Sequence, residues 1–385
     1  MRRISCGQKP KGLPGLCLAV LLVLMLAACG PDAAEQWQTQ YDLGAKYLSE
    51  MHYEQAVAAF TEAISIDEKN PAAYLARAEA YLAQGGEAAR AAALADYEQA
   101  ARLLAAAEPA DDAQQPAESW HTLARGYFAL DDWQSAVDAL QQALDQGTPP
   151  EALADTLTAH GLAVDEEGRV VPDEDANREM SNMLTKLNKW ALFRYFLTQA
   201  ERETLLRPLI PRLRFLLDWY GGEHGGLYAE HLSVVQYLLG DLEGAQAVRA
   251  EMYRLTGEEH WDPDGYTVTY DDRTETFNGL GQETQILRSD GSGTVYTYDE
   301  MGRCIRESRT AASGAPGGTT EYIYENGRLA RVVTTDENGG ESLDVYRYEP
   351  GLAIREQYVN GRLVLRETYT LNAYGGVEEK TTESL

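Results

Sequence analysis

The sequence predicts a multidomain α plus β protein of 385 residues, an N-terminal α-solenoid followed by an antiparallel β-hairpin domain. Three observations predict it. From Trp37 the apolar residues recur with helical period, and small residues and large rings return at matching places in successive stretches. At Trp261 a period of two replaces 3.6, Thr, Tyr and Val become frequent, and eleven of the 23 tyrosines fall in the last 125 residues. The four cysteines, Cys6, Cys17, Cys29 and Cys304, offer no disulfide framework, so packing must hold the fold.

The first element is residues 1–28. Arg2, Arg3, Lys9 and Lys11 open it, Leu16–Leu26 form a short apolar core, and Leu26-Ala27-Ala28-Cys29 close it. The run is short for a membrane span, which favours cleavage. The pattern resembles bacterial lipoprotein signals. That resemblance implies a diacylglyceryl group on Cys29 and Cys29 as the mature N-terminus, at the extracytoplasmic face of a cell membrane. An ordinary secretory signal or an uncleaved span are the alternatives. Residues 29–36 would then be a lipidated tether, of which 30–36 reach only about 25 Å when extended.

Residues 37–147 read as helix pairs. Leu43-Gly44, Tyr47, Ala56, Phe60 and Ala63 make one copy. Leu75, Ala78, Tyr81, Ala93, Tyr97 and Ala100 make a second, with an insertion near Gly85-Gly86. Trp120, Leu123-Ala124, Tyr127, Ala136, Leu140 and Ala143 make a third. Small residues sit where antiparallel helices approach, and rings fill the space beside them. The pattern resembles the tetratricopeptide repeat, with Glu68 where the family has a late proline and Pro71 three residues on. The family implies a superhelix whose groove is lined by the first helix of each pair. By position, Tyr41, Ala45, Leu48, Leu75, Glu79, Leu82, His121, Arg125 and Phe128 would face that groove and a protein or peptide partner.

Residues 148–178 read as an acidic connector. Residues 179–258 return to helical pattern, and Leu239-Gly240-Asp241-Leu242-Glu243-Gly244-Ala245 resembles a repeat turn, so this region reads as a continuation or cap of the solenoid.

The β-hairpin domain spans 259–385. Tyr298-Asp299-Glu300-Met301-Gly302-Arg303-Cys304, Tyr324-Glu325-Asn326-Gly327-Arg328-Leu329 and Tyr358-Val359-Asn360-Gly361-Arg362-Leu363 share one motif. Phe277–Glu283 is a weaker copy and Leu371–Gly375 a remnant. Asn-Gly suits a two-residue hairpin loop because both positions need φ > 0. Tyr should face Cys or Leu across each ladder, with Asp299/Arg303 and Glu325/Arg328 as cross-strand ion pairs. These units resemble the YD repeats of RHS-type surface proteins, in too few copies to build a closed shell. The resemblance implies an extracytoplasmic sheet with rows of tyrosine, which either bind glycan or form the sheet's own core.

The chain carries 33 Lys+Arg against 61 Asp+Glu, and −32 without residues 1–28 (33 − 4 − 61). That charge excludes nucleic acid, whose phosphates it repels, and favours a cationic partner. No His-Glu-x-x-His, Gly-x-Ser-x-Gly or phosphate-loop motif occurs, so no catalytic residue, metal or cofactor is expected. The expected function is a lipid-anchored adaptor acting through the repeat groove, with cell-wall or surface glycan binding by the β domain as the alternative.

Overall fold

The computed structural model describes residues 32–107, 114–188 and 195–385. Cys29, the remainder of the N-terminal signal and residues 108–113 of the inter-repeat loop lie outside them. Two compact units divide at Leu153/Ala154.

The first unit is three antiparallel helix pairs: α1 (Ala33–Ser49) with α2 (Tyr53–Ile66), α3 (Pro71–Gln84) with α4 (Glu87–Ala106), and α5 (Gln114–Ala129) with α6 (Trp133–Asp145). Asp32, Asn70 and Asp132 accept first-turn amides and start α1, α3 and α6. Pro71 occupies the first turn of α3, where its missing N–H costs nothing, so it begins a helix instead of closing the first repeat. The small-and-large pattern becomes packing. Ala56, Ala63, Ala78, Ala93, Ala100, Ala136 and Ala143 are wholly buried. The Phe60 ring lies on Gly44 and the Tyr97 ring on Gly126, at places where a Cβ would stand 2.6 and 2.3 Å from the ring. Between α3 and α4, Arg77 donates to the buried Asp96 carboxylate twice, at 2.7 Å each, and also to the Thr61 hydroxyl at 3.0 Å.

The second unit begins within α7 (Pro150–Ala159). The segment read as a connector is folded: β1 (Leu162–Val164) pairs with β2 (Val170–Pro172), closed by Asp165, which accepts the amides of Glu167 and Arg169. Helices α8 (Glu174–Asn188), α9 (Gln199–Leu206), α10 (Leu209–His224), α11 (Gly226–Leu239) and α12 (Leu242–Thr256) follow. The sequence reads residues 179–258 as a continuation or cap of the solenoid. In the structure it belongs to the same unit as the sheet.

That sheet is an eleven-stranded antiparallel meander in sequence order: β3 (Tyr266–Thr269), β4 (Arg273–Phe277), β5 (Glu283–Arg288), β6 (Gly293–Tyr298), β7 (Cys304–Thr310), β8 (Pro316–Glu325), β9 (Arg328–Thr335), β10 (Glu341–Glu349), β11 (Leu352–Val359), β12 (Arg362–Leu371) and β13 (Val377–Ser384). Its turns alternate between two ends. The turns after β4, β6, β8, β10 and β12 share one end, and there the helices meet them. Gln246 donates to the Pro263 carbonyl, against which Gly279 packs. Arg249 donates to the Gly279 carbonyl at 3.1 Å, Arg202 to that of Gly327 at 3.1 Å, and Asn372 to that of Met183 at 3.2 Å. Tyr237 donates to the Gly302 carbonyl, Gln282 donates to the same oxygen at 2.6 Å, and Tyr195 donates to the Tyr237 hydroxyl at 2.9 Å. Tyr195 stands edge-on to Tyr324, and Phe196 lies among Tyr346, Tyr348 and Tyr369 at 5.6–5.9 Å.

The repeat has a physical period at this end. Tyr298, Tyr324 and Tyr348 each donate a hydroxyl to a carbonyl of the preceding hairpin, at Glu283, Cys304 and Leu329. Arg303 lies over the Tyr324 ring and Arg328 over the Tyr348 ring, both at 4.7 Å. Tyr324 and Tyr348 are thus each clamped between their own hydrogen bond and the arginine of the hairpin before them. Tyr348 is a repeat member that sequence reading missed, because its turn is Glu349-Pro350-Gly351 and lacks both Asn-Gly and Arg. Conversely, the Tyr358 hairpin turns at the opposite end.

The expected cross-strand partners are in register: Tyr298 with Cys304, Tyr324 with Leu329, Tyr358 with Leu363. Asn326, Gly327, Asn360 and Gly361 all have positive φ, as the two-residue loops require. Asp299 and Arg303 pair at 2.7 Å. The Glu325/Arg328 ion pair is a correction. Stacked on Tyr348, Arg328 reaches Glu201 of α9 at 2.6 Å, and Glu325 takes Arg331 at 3.0 Å instead.

Gly302 and Gly361 separate backbone cost from packing cost. Both have φ near +74° (73° and 75°). A Cβ on Gly302 would stand 2.5 Å from Tyr237, whereas one on Gly361 meets nothing within 4 Å. Gly361→Ala is expected to cost about 1–2 kcal/mol from the left-handed backbone alone. Gly302→Ala adds roughly 1–3 kcal/mol of overpacking. Chemical denaturation of the two variants measures the difference, and equal losses would contradict the close approach of helix and turn.

Candidate functional site

Helices α1, α3 and α5, the first of each pair, line a groove of 720 Å³, inside the range of about 300–1,000 Å³ usual for ligand sites. Trp37, Gln38 and Tyr41 come from α1, Leu75 and Glu79 from α3, Glu118 and Thr122 from α5, with Leu104 and Ala107 at the end of α4. Trp37 and Tyr41, one turn apart, stack at 4.9 Å with ring planes 15° apart, and Tyr41 leans on Phe60. The result is an apolar floor with carboxylates beside it.

The electrostatics tie the three helices together. Burial pushes the Tyr41 hydroxyl pKa up, and the charge of Glu79 adds to it. Burial also raises the Glu79 carboxyl, opposed by Arg125. On α5, burial and the Arg125 charge lower the His121 imidazole below its usual range.

Of the residues expected in the groove, Tyr41, Leu75 and Glu79 line it. His121 and Arg125 lie on α5 within electrostatic reach of them. Ala45 is exposed, Leu82 half-buried, and Leu48 packs on the cluster around Phe60 and Ala76. Phe128 is a correction to position: it is 7% exposed, edge-on to Trp133 at 5.2 Å, and belongs to the core of the third pair. Trp37, Glu118 and Thr122 were missed. Trp37 was detectable as the residue one turn before Tyr41, and Glu118 and Thr122 stand three residues before His121 and Arg125 respectively on the same helix.

Cys304 is a half-buried free thiol whose pKa is pushed up to about 12 by burial and the Glu307 charge, the opposite of an activated nucleophile. His231 is buried, and burial lowers its imidazole to about 4. Among the described residues no group of three His, Cys, Asp or Glu is placed to hold a metal ion. No helix among them is long and apolar enough to cross a membrane.

Residues 44–85 match a family model described as a TPR repeat. The match runs from the end of α1 through α2 and α3. It covers α3, one of the helices that line the groove, with α2 and the last six residues of α1, and it begins after Trp37, Gln38 and Tyr41. The N-terminal helical region is therefore TPR-like, and such repeats generally bind protein partners. No curated protein matches the chain.

Proposed function

We propose that this chain is a lipid-anchored extracytoplasmic scaffold that holds an extended segment of a partner protein in the groove of α1, α3 and α5. Cys29 is its acylated residue, and the sheet is a rigid YD-like platform. The observation that carries this reading is the groove itself: an open apolar floor of stacked Trp37 and Tyr41, framed by helices that include the TPR match. A glycan-binding sheet has less support. Glycan stacking needs free ring faces, and Tyr324 and Tyr348 carry guanidinium groups over theirs.

The test is affinity capture from detergent-solubilised membranes with the native chain and with Trp37→Ala/Thr122→Arg. The account expects a stoichiometric protein with the native chain and its loss with the variant, while circular dichroism of the two stays the same. Unchanged capture would contradict the groove. Mass spectrometry of the N-terminal peptide reads the anchor, and an unmodified Cys29 in the membrane fraction would contradict lipidation.

A further inference from the structure

We infer that the groove selects a cationic segment, one Lys or Arg of which meets Glu79 and Glu118 while a neighbouring apolar side chain rests on Trp37 and Tyr41. The inference rests on the groove reading above and names the chemistry of its occupant.

Three observations carry it. The charged side chains lining the groove are Glu79 and Glu118, with no Lys or Arg among the described lining residues. Among the described residues, no Lys or Arg nitrogen stands within 4.0 Å of either carboxylate, although most bases of this unit are already engaged: Lys46 with Glu50, Arg77 with Asp96, Arg90 with Asp131 and Arg102 with Glu98. Finally, residues 32–153 hold 21 Asp+Glu against six Lys+Arg, a formal charge of 6 − 21 = −15. Arg125 is a single opposing charge on the same face. An anionic segment entering here would bring its charge against two unpaired carboxylates in a negative field. A cationic one is drawn in and pairs with them. Both carboxylates are exposed to solvent, so an incoming cation can reach them.

The probe is a library of random twelve-residue peptides displayed on phage and selected on the full chain, with hits resynthesised for titration. The expected hits carry Lys or Arg beside an aromatic or aliphatic residue. Their affinity should fall about five- to tenfold in Glu79→Gln/Glu118→Gln. It should also fall in Trp37→Ala, and weaken as salt is raised. Peptides that lose binding in Trp37→Ala but are neutral or acidic, or are indifferent to the carboxylate variant, would overturn the charge inference and leave the groove reading standing. An absence of any peptide sensitive to Trp37→Ala would overturn both.

Discussion

Phe196→Ala is expected to destabilise the second unit by about 3–5 kcal/mol. Phe196 is 1% exposed and its ring lies against Tyr346 and Tyr348 of β10 and Tyr369 of β12. Truncation removes the transfer energy of a whole ring and leaves a cavity walled by rigid aromatics that the sheet ladder holds apart. Little relaxation is available to fill it. Chemical denaturation should show a lower midpoint with an unchanged slope, and hydrogen exchange should place the loss in residues 341–371. Phe196→Leu keeps most of the volume and should cost far less. A loss under about 1 kcal/mol for the alanine variant would mean that this ring does not join helices to sheet.

The second large effect belongs to the repeats. Asp96→Ala is expected to cost about 3–5 kcal/mol in the first unit, because it leaves the Arg77 guanidinium beside a vacated carboxylate site. Asp96 is 6% exposed, and its two hydrogen bonds to Arg77 close the α3–α4 pair while the third arm of the guanidinium reaches Thr61 on α2. The cost is that of an orphaned buried charge, so removing both partners should restore most of it. Arg77→Met/Asp96→Leu is expected to approach native stability. If the double variant is as unstable as the single one, the pair does more than neutralise itself.

Much of the fold was legible because it rests on local rules. Alanines and rings at helical spacing gave the three pairs, and Gly44 under Phe60 shows why a small residue stands there. Asn-Gly gave the type of turn at 326–327 and 360–361 because φ is a property of the residue itself. What stayed hidden was non-local. Nothing in the Arg328 motif shows that its partner is Glu201, 127 residues away, rather than the adjacent Glu325. The parity of turns around the meander puts Tyr348 with Tyr324 and sends Tyr358 to the other end, a fact that motif spelling inverts. The helices of 179–258 carry the same periodicity whether they extend a solenoid or cover hairpin tips, so sequence pattern alone did not separate the two. In the groove, Tyr41, Leu75 and Glu79 were found by repeat position. Phe128 was misplaced because helical spacing does not distinguish a groove wall from a seam that faces Trp133.

The most direct test of the account is hydrogen exchange of the full chain with and without a selected cationic peptide. The account predicts new protection in α1, α3 and α5, at 37–41, 71–79 and 118–122, with the sheet unchanged. Protection confined to residues 266–371, or none in these three helices at saturating peptide, would contradict it.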